Sequence, residues 1–418
     1  MSEWNFSPPP ESSMGDHDVP REGHHLEGKR IALVVTGGIA AFKTPMLARA
    51  LRKQGAEVVA YLSDEGARYV AEDALCWATT NPVVTHLTPA AEHLADARPF
   101  DAWLVAPATA NTINKLAWGI ADTPVSSALA SALGRLERGQ TKLLVAPTMH
   151  GSLHTSILTE ALRRLDSFGV QVITPREGYG KHNLPADDVL VAETCRAVST
   201  SSLRDVPVLV TGGPTPVPLD NVRRIVNRFR GRLGALVCEE LYLRGAAVHL
   251  IHGDGAYHPP EHLPFTVART SDDYRRLVHE ALDARPYRFG VFSAGVADYR
   301  PAEVLPGKTP SQLESWSVQL VPTAKVIDEV RARHPELYMV TFKYLEGVTF
   351  DELLAVARER IDRGYPAIVA NLGEEMGAGD EQTAYLVTGP TSPLRWHGKR
   401  EIARGIADHL EEELGNEG

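Results

Sequence analysis

From Arg30 onward, short apolar runs alternate with amphipathic stretches, and near Val206 the alternation starts afresh. The first series reads IALVV, EVVAYL, AWLVAP, KLLVAP and VQVIT, with stretches of helical spacing between, such as Thr44 to Gln54, which Gly55 closes. The second series reads VPVLV, AAVHLI, FGVFSA, LYMVTF, AIVAN and TAYLV. Strands that alternate with helices form parallel sheets covered on both faces, because each crossover runs back over the sheet. An α/β chain of two domains is expected, at 28–198 and 206–412, with a polar linker at 199–205 that contains STSS. A length of 418 residues leaves room for two cores.

Residues 1–27 are polar, rich in Pro, Ser, Glu and His, and lack the apolar core of a signal peptide, so they read as a disordered tail. No window approaches the roughly 20 apolar residues of a membrane span. A formal charge of −10 argues against a nucleic-acid coat or an anionic membrane surface. Cys76, Cys195 and Cys238 lie far apart without CxxC spacing, which suits a reducing compartment and offers no zinc site. A cytoplasmic protein with no nucleic-acid or membrane partner is expected.

Ligands of such sheets bind beyond the carboxyl ends of the strands, and two of those ends carry the same element, LVVTGG from Leu33 and LVTGG from Leu209. A double glycine lets backbone approach an anion at a helix N-terminus, although alone it serves equally as a tight turn. GxGxxG fails here on spacing. The run from Gly37 to Lys43 and Thr44 nearly fits GxxxxGK[ST], but Phe42 fills the second glycine position and obstructs a phosphate cradle, so a P-loop is rejected. PATANT, Pro107 to Thr112, follows the strand AWLVA; Thr109, Asn111 and Thr112 suit helix capping and ligand donation alike.

Taken together, TGGIAAFK, an isolated His93 and PATANT resemble the flavin-containing cysteine decarboxylases. LVTGGPT from Leu209, NRFRGRLG from Asn227, ADYRPAEV from Ala297 and Lys308 shortly after extend this to the whole chain from about Lys29. It resembles the bifunctional phosphopantothenoylcysteine decarboxylase/phosphopantothenate–cysteine ligase family of coenzyme A biosynthesis. The resemblance implies a flavodoxin-like three-layer flavoprotein domain followed by a Rossmann-like ligase domain. It implies FMN held by Thr36, Gly37, Gly38, Ile39 and Ala40, with Pro107, Thr109, Asn111 and Thr112 against the flavin. His93 fits the family's catalytic histidine, a residue type suited to proton transfer near neutrality. The implied chemistry is oxidation of the substrate thiol, loss of CO₂ and reduction of the enethiol, which yields 4'-phosphopantetheine.

Two departures touch that chemistry. The family's PxMNxxMW motif appears as PTMHGSLH, Pro147 to His154, so His150 stands where an asparagine binds the substrate carboxylate. The flap that carries a family cysteine reads REGYGKHNLPADD, without cysteine; Tyr179, Lys181 and His182 are its conceivable proton donors. A ligase whose flavin domain no longer decarboxylates, and an FMN enzyme of another thiol or carboxylate, remain as alternatives.

For the second half the resemblance implies ligation of phosphopantothenate with cysteine through a nucleotide-activated carboxylate, using CTP with Mg²⁺. This chemistry needs positive charge beside the phosphates and a metal carboxylate. Gly212, Gly213, Pro214 and Thr215 match the nucleotide loop, Asn227 the asparagine of intermediate turnover, Asp298 the metal and nucleotide aspartate, and Lys308 the phosphate-facing lysine. Phe342-Lys343 of TFKYLEG looks like eukaryotic ligases, some of which use ATP, and Asn371 ends AIVAN as a substrate-side donor. Small-molecule partners follow (phosphopantothenate, cysteine, nucleotide), as does a homo-oligomer: trimer or dodecamer through the flavin domain, dimer through the ligase domain. RRIVNRFRGR, Arg223 to Arg232, is the one basic stretch, and in a net-acidic chain it reads as a phosphate pocket rather than a nucleic-acid patch.

Overall fold

The computed structural model describes residues 6–94, 98–312 and 314–416. The chain divides into two compact units, the first ending at Ser199 and the second beginning at Thr200.

In the first unit the five runs become parallel strands: β1 (Arg30–Val35), β2 (Glu57–Leu62), β3 (Ala102–Ala108), β4 (Lys142–Pro147) and β5 (Gln171–Val172). Their order is β2-β1-β3-β4-β5. The central strands are apolar throughout because helices cover both faces. Helices α1 (Thr44–Lys53), α2 (Glu72–Thr79) and α6 (Asp187–Val198) pack together on one side. Helices α3 (Ala110–Ala117), α4 (Pro124–Leu136) and α5 (Ser156–Ser167) bury Ile113, Leu116, Leu129 and Leu158 against Trp103, Val105 and Val145 on the other. This is the expected three-layer, flavodoxin-like order, with its switch point between β1 and β3.

The second unit carries β6 (Pro207–Gly212), β7 (Ala247–Gly253), β8 (Phe265–Ala268), β9 (Phe289–Phe292), β10 (Tyr338–Leu345), β11 (Ala367–Leu372), β12 (Thr383–Val387) and β13 (Leu394–His397). They lie in the order β8-β7-β6-β9-β10-β11-β12-β13, parallel as far as β11 and antiparallel beyond it. The first six strands follow the doubly wound dinucleotide order, which reverses between β6 and β9. Helix α7 (Arg232–Leu243) packs with α11 (Lys399–Gly415) on one face. The other face is covered by α8 (Ser271–Ala284), α9 (Val326–Arg333) and α10 (Phe350–Asp362), through Tyr274, Val330 and Leu353.

Two expectations need correction. The tail does not run free to residue 27: Leu26 is wholly buried, and the N–H groups of Glu22, Gly23 and Leu26 donate to the carbonyls of Lys53 and Gln54 at the end of α1. Those carbonyls are the ones a helix end leaves unsatisfied, and the segment supplies their donors. The polar linker likewise shortens, because Leu203 is buried in the second core. Among the described residues no helix is long and apolar enough to cross a membrane.

Candidate functional site

Each switch point opens a crevice at strand ends, and both double-glycine loops lie at one. In the first unit the loop after β1 meets the loop after β3. The Thr36 hydroxyl, buried, donates to Pro107 O at 2.7 Å and accepts from Thr109 N at 3.3 Å. Thr109 is the N-cap of α3: its hydroxyl oxygen accepts from Thr112 N at 3.4 Å and lies 3.1 Å from Thr112 Oγ1. A cavity of ≈ 1100 Å³ opens above these loops. Thr36 to Ala40, Thr109, Asn111, Thr112 and His150 all line it, whereas Pro107 serves only through its carbonyl beneath.

The glycines are not interchangeable. A Cβ on Gly37 would lie 2.4 Å from Glu65 Cβ, so this position tolerates no side chain. A Cβ on Gly38 would meet only Thr109 Cγ2 at 3.7 Å and Pro107 Cγ at 3.8 Å, within the space the loops leave open. Among the charged lining groups Lys43, Lys115, Arg176 and Lys181 outnumber Asp64 and Glu65.

His150 Nδ1 accepts from Ser152 N at 3.2 Å, which fixes the lone pair there and the ring proton on Nε2. The flap is a hairpin of Arg176–Gly178 and Lys181–Asn183 that pairs with Met149–His150. Tyr179 sits at its tip, fully exposed at φ 54°. Lys181 and His182 line the cavity, and His182 Nε2 lies 2.7 Å from His154 Nδ1, a histidine pair that motif reading passed over. His93 is not brought to this cavity. It occupies a turn whose Glu92 O accepts from Tyr61 Oη of β2 at 2.7 Å, and its Nδ1 is buried without a hydrogen-bond partner among the described residues.

In the second unit the loop after β6 meets the segment after β9. Gly213 has φ +79°, and a Cβ there would press within 2.8 Å of the Gly253 backbone at the end of β7. Thr215, buried, accepts from Ala297 N at 2.9 Å through its hydroxyl oxygen, so it acts as a strut for the ADYR segment. Asn227 Nδ2 donates to Gly295 O at 2.6 Å while its Oδ1 accepts from Phe229 N at 3.1 Å, so the amide ties its own loop to the segment after β9. Lys308 lies exposed in the loop between Gly307 and Thr309.

Asp298 is paired with Lys325, a lysine whose place beside it no local motif announces. Among the described residues no group of three or more His, Cys, Asp or Glu side chains forms a ready metal cage. Lys343 points its half-buried chain at the same cluster: burial, then Arg360 and Lys325, hold its ammonium below the ordinary lysine value, while Asp298 pulls the other way. Phe342 contributes its carbonyl to Arg360 at 3.0 Å. Asn371 is misplaced as a substrate donor. It is buried, and its Nδ2 donates to Thr383 O at 2.9 Å, locking β11 to the returning strand β12.

The basic stretch is no open patch either. Four of its five arginines face carboxylates of the same unit: Arg223 with Asp220, Arg224 with Asp254, Arg228 with Glu346 and Arg232 with Asp380. Little positive charge remains for a polyanion.

Comparison with known proteins agrees with this two-part layout. The family model described as "Flavoprotein" matches residues 20–199, and that described as "DNA/pantothenate metabolism flavoprotein C-terminal domain" matches residues 203–414. The coenzyme A biosynthesis bifunctional protein CoaBC of Thermococcus kodakarensis is 33% identical over 396 residues, covering 93% of this chain and 96% of that protein. The protein of the same name from Methanocaldococcus jannaschii is 27% identical over 389 residues, covering 92% and 94%. Among solved structures, the DNA/pantothenate metabolism flavoprotein from Streptococcus pneumoniae shares 26% identity at a TM-score of 0.45, covering 50% of this chain and 99% of that one. The chain belongs to the family of bifunctional coenzyme A biosynthesis enzymes, in which a flavoprotein decarboxylase domain precedes a ligase domain.

Proposed function

We propose that the first unit holds FMN between the ends of β1 and β3 and decarboxylates phosphopantothenoylcysteine there. The second unit makes that substrate from phosphopantothenate and cysteine, with CTP or ATP as the activating nucleotide. The observation that carries this reading is the presence, in one chain, of two switch-point crevices, each entered by a double-glycine loop, the first lined by Lys43, Lys115, Arg176 and Lys181 and the second with Lys325 and Lys343 gathered near Asp298.

The residues present fit FMN. The cavity, at ≈ 1100 Å³, lies at the upper end of the roughly 300–1,000 Å³ typical of ligand pockets, so a cofactor of FMN size fits. Gly38 leaves a cradle that a side chain would fill, and the N–H groups opening the Ile39–Lys43 turn favour a phosphate. FMN, when bound, supplies the electron acceptor for the thiol. The chain's own part is to bind and orient. His150 meets the substrate carboxylate with Nε2–H, doing with a ring N–H what an amide N–H does elsewhere in the family. The role proposed for His93 in proton transfer requires the cavity of a second copy, which accords with a homo-oligomer built through this unit.

In the second unit Lys308, Lys325 and Lys343 are the cations for nucleotide and acyl phosphate. Mg²⁺ binds with a few carboxylates plus substrate phosphates rather than in an all-protein cage, so Asp298 serves as its protein ligand once Lys325 turns to the phosphates. The enzyme acts in the cytoplasm, where its three free cysteines stay reduced.

The test uses FMN-loaded full-length protein and phosphopantothenoylcysteine, followed by chromatography with mass detection. The product is lighter by one CO₂, and His150→Ala slows its appearance about tenfold or more. An unchanged substrate peak at every protein concentration would replace this reading with that of a ligase whose flavin domain does not decarboxylate.

A further inference from the structure

The loop that carries Lys308 is irregular, exposed and flanked by Gly307 at φ +75°. Such a segment holds a lysine at a fixed point only if something outside it restrains its backbone. That restraint is visible. Asp220, 4% exposed, sits at the turn that leads into the Arg224–Ile225 strand and on to Asn227. Its Oδ1 accepts from Val222 N at 2.8 Å and Arg223 N at 2.7 Å, which closes the local turn. Its Oδ2 accepts from Arg223 Nη1 at 2.7 Å and, across 89 residues of chain, from Thr309 N at 3.0 Å. Arg223 Nη1 also donates to Thr309 O at 3.1 Å, so the ion pair grips both backbone groups of the residue that follows Lys308.

The residue before Lys308 is held from the same turn. Asn221 N donates to Gly307 O at 2.9 Å, and Leu305 N donates to Leu219 O at 3.0 Å. The two loops thus form a short ladder in which Lys308 is the rung left free. Burial disfavours the charge on Asp220, but hydrogen bonds from the N–H groups of Thr309, Val222 and Arg223 hold the carboxylate well below its usual range. It accepts as an anion at any physiological pH.

We propose that Asp220 is a positioning residue of the ligase site: with Arg223 as its bridge, it fixes the loop that presents Lys308 to the nucleotide phosphates. The proposal rests on the phosphate-facing role read for Lys308. The geometry makes substitution by asparagine informative. An amide has one acceptor oxygen, so in either orientation its NH₂ faces N–H donors, those of the local turn or those of Thr309 and Arg223. Arg223→Ala is the milder companion, since it removes the bridge and leaves three backbone donors on the carboxylate.

The test is a double-substitution cycle in the full-length protein, read as kcat and KM for pyrophosphate release with phosphopantothenate, nucleotide, Mg²⁺ and cysteine. Lys308→Ala lowers kcat, and Asp220→Asn lowers it about tenfold to a hundredfold, the loss expected when a catalytic group is misplaced by roughly 1 Å. Combined with Lys308→Ala, Asp220→Asn adds less than about twofold, because the lysine it positioned is gone. In parallel, trypsin cleavage after Lys308 accelerates in Asp220→Asn and, to a lesser degree, in Arg223→Ala, with other cut sites unchanged. If Lys308→Ala leaves kcat intact, the reading of Lys308 falls and takes the proposal with it. If Lys308→Ala is impaired but Asp220→Asn multiplies its loss in full, or leaves both kcat and cleavage untouched, Asp220 does not act through Lys308. If Asp220→Asn opens every tryptic site of the second unit, Arg223→Ala decides by the same cycle.

Discussion

The clasp between Thr36 and Thr109 is the joint on which the proposed flavin crevice depends, and replacing Thr36 by valine tests it. Valine keeps the branched shape, so packing at this buried site is conserved and only the hydroxyl is lost. Two hydrogen bonds go: the 2.7 Å bond to Pro107 O and the longer 3.3 Å bond from Thr109 N. A typical net contribution is about 1 kcal/mol for the first, and a buried carbonyl left without a donor costs about 1–3 kcal/mol more. The longer bond adds a fraction, for a total of roughly 2–4 kcal/mol against the first unit. With a urea dependence of roughly 2–3 kcal/mol per molar for a unit of this size, the midpoint falls by about 1 M. The assay is urea-induced release of FMN followed by flavin fluorescence, with Thr36→Ser as the control that retains the hydroxyl. FMN affinity should fall about tenfold, equivalent to about 1.4 kcal/mol, because the turn proposed to cradle the phosphate is the turn this hydroxyl holds. A midpoint and affinity for Thr36→Val that match those of Thr36→Ser would refute the argument.

Gly213→Ala should abolish ligation while FMN content stays normal, since the Cβ would press on the Gly253 backbone from a left-handed position; equal ligation rates would contradict this. Leu26→Ala should destabilise the first unit by about 2–4 kcal/mol, read as a lowered urea midpoint, whereas a disordered tail would show no change. Stability of the second unit should fall as pH drops below about 6.5, because burial holds His252 and His409 below the ordinary histidine value. The unfolded chain then binds protons that the folded one refuses, so stability is complete above the unfolded pKa and is lost on acidification. His409→Gln should flatten that slope in thermal melts at pH 5 to 8; an unchanged slope would discount His409.

What was legible in the sequence and what was not divides along physical lines. Strands covered on both faces read as continuous apolar runs, so the central strands of both sheets were visible, while their order class came only with the family resemblance. Strands β8 and β13 were not, because they lie at the edges of the sheet with Phe265, Val267 and Leu394 partly exposed, and their patterns mix polar with apolar. Thr36 and Thr109 were legible as loop residues, but their bond joins positions 73 apart, which no local spacing encodes. Asp220 carries the local signature of an aspartate turn, yet its partner Thr309 appears only once β6 and β9 are neighbours. Asn371 shows the reverse failure. Its place at a strand end suggests a ligand, and the antiparallel return of β12 claims its amide instead.

The central claim is that one chain performs both steps in sequence. It is tested most directly by a mass spectrum of full-length, FMN-loaded protein incubated with phosphopantothenate, cysteine, Mg²⁺ and either CTP or ATP. A product that has gained cysteine and then lost CO₂ is expected with at least one of the nucleotides. A product that stops at the cysteine adduct would contradict the decarboxylase half, and no adduct with either nucleotide would contradict the whole.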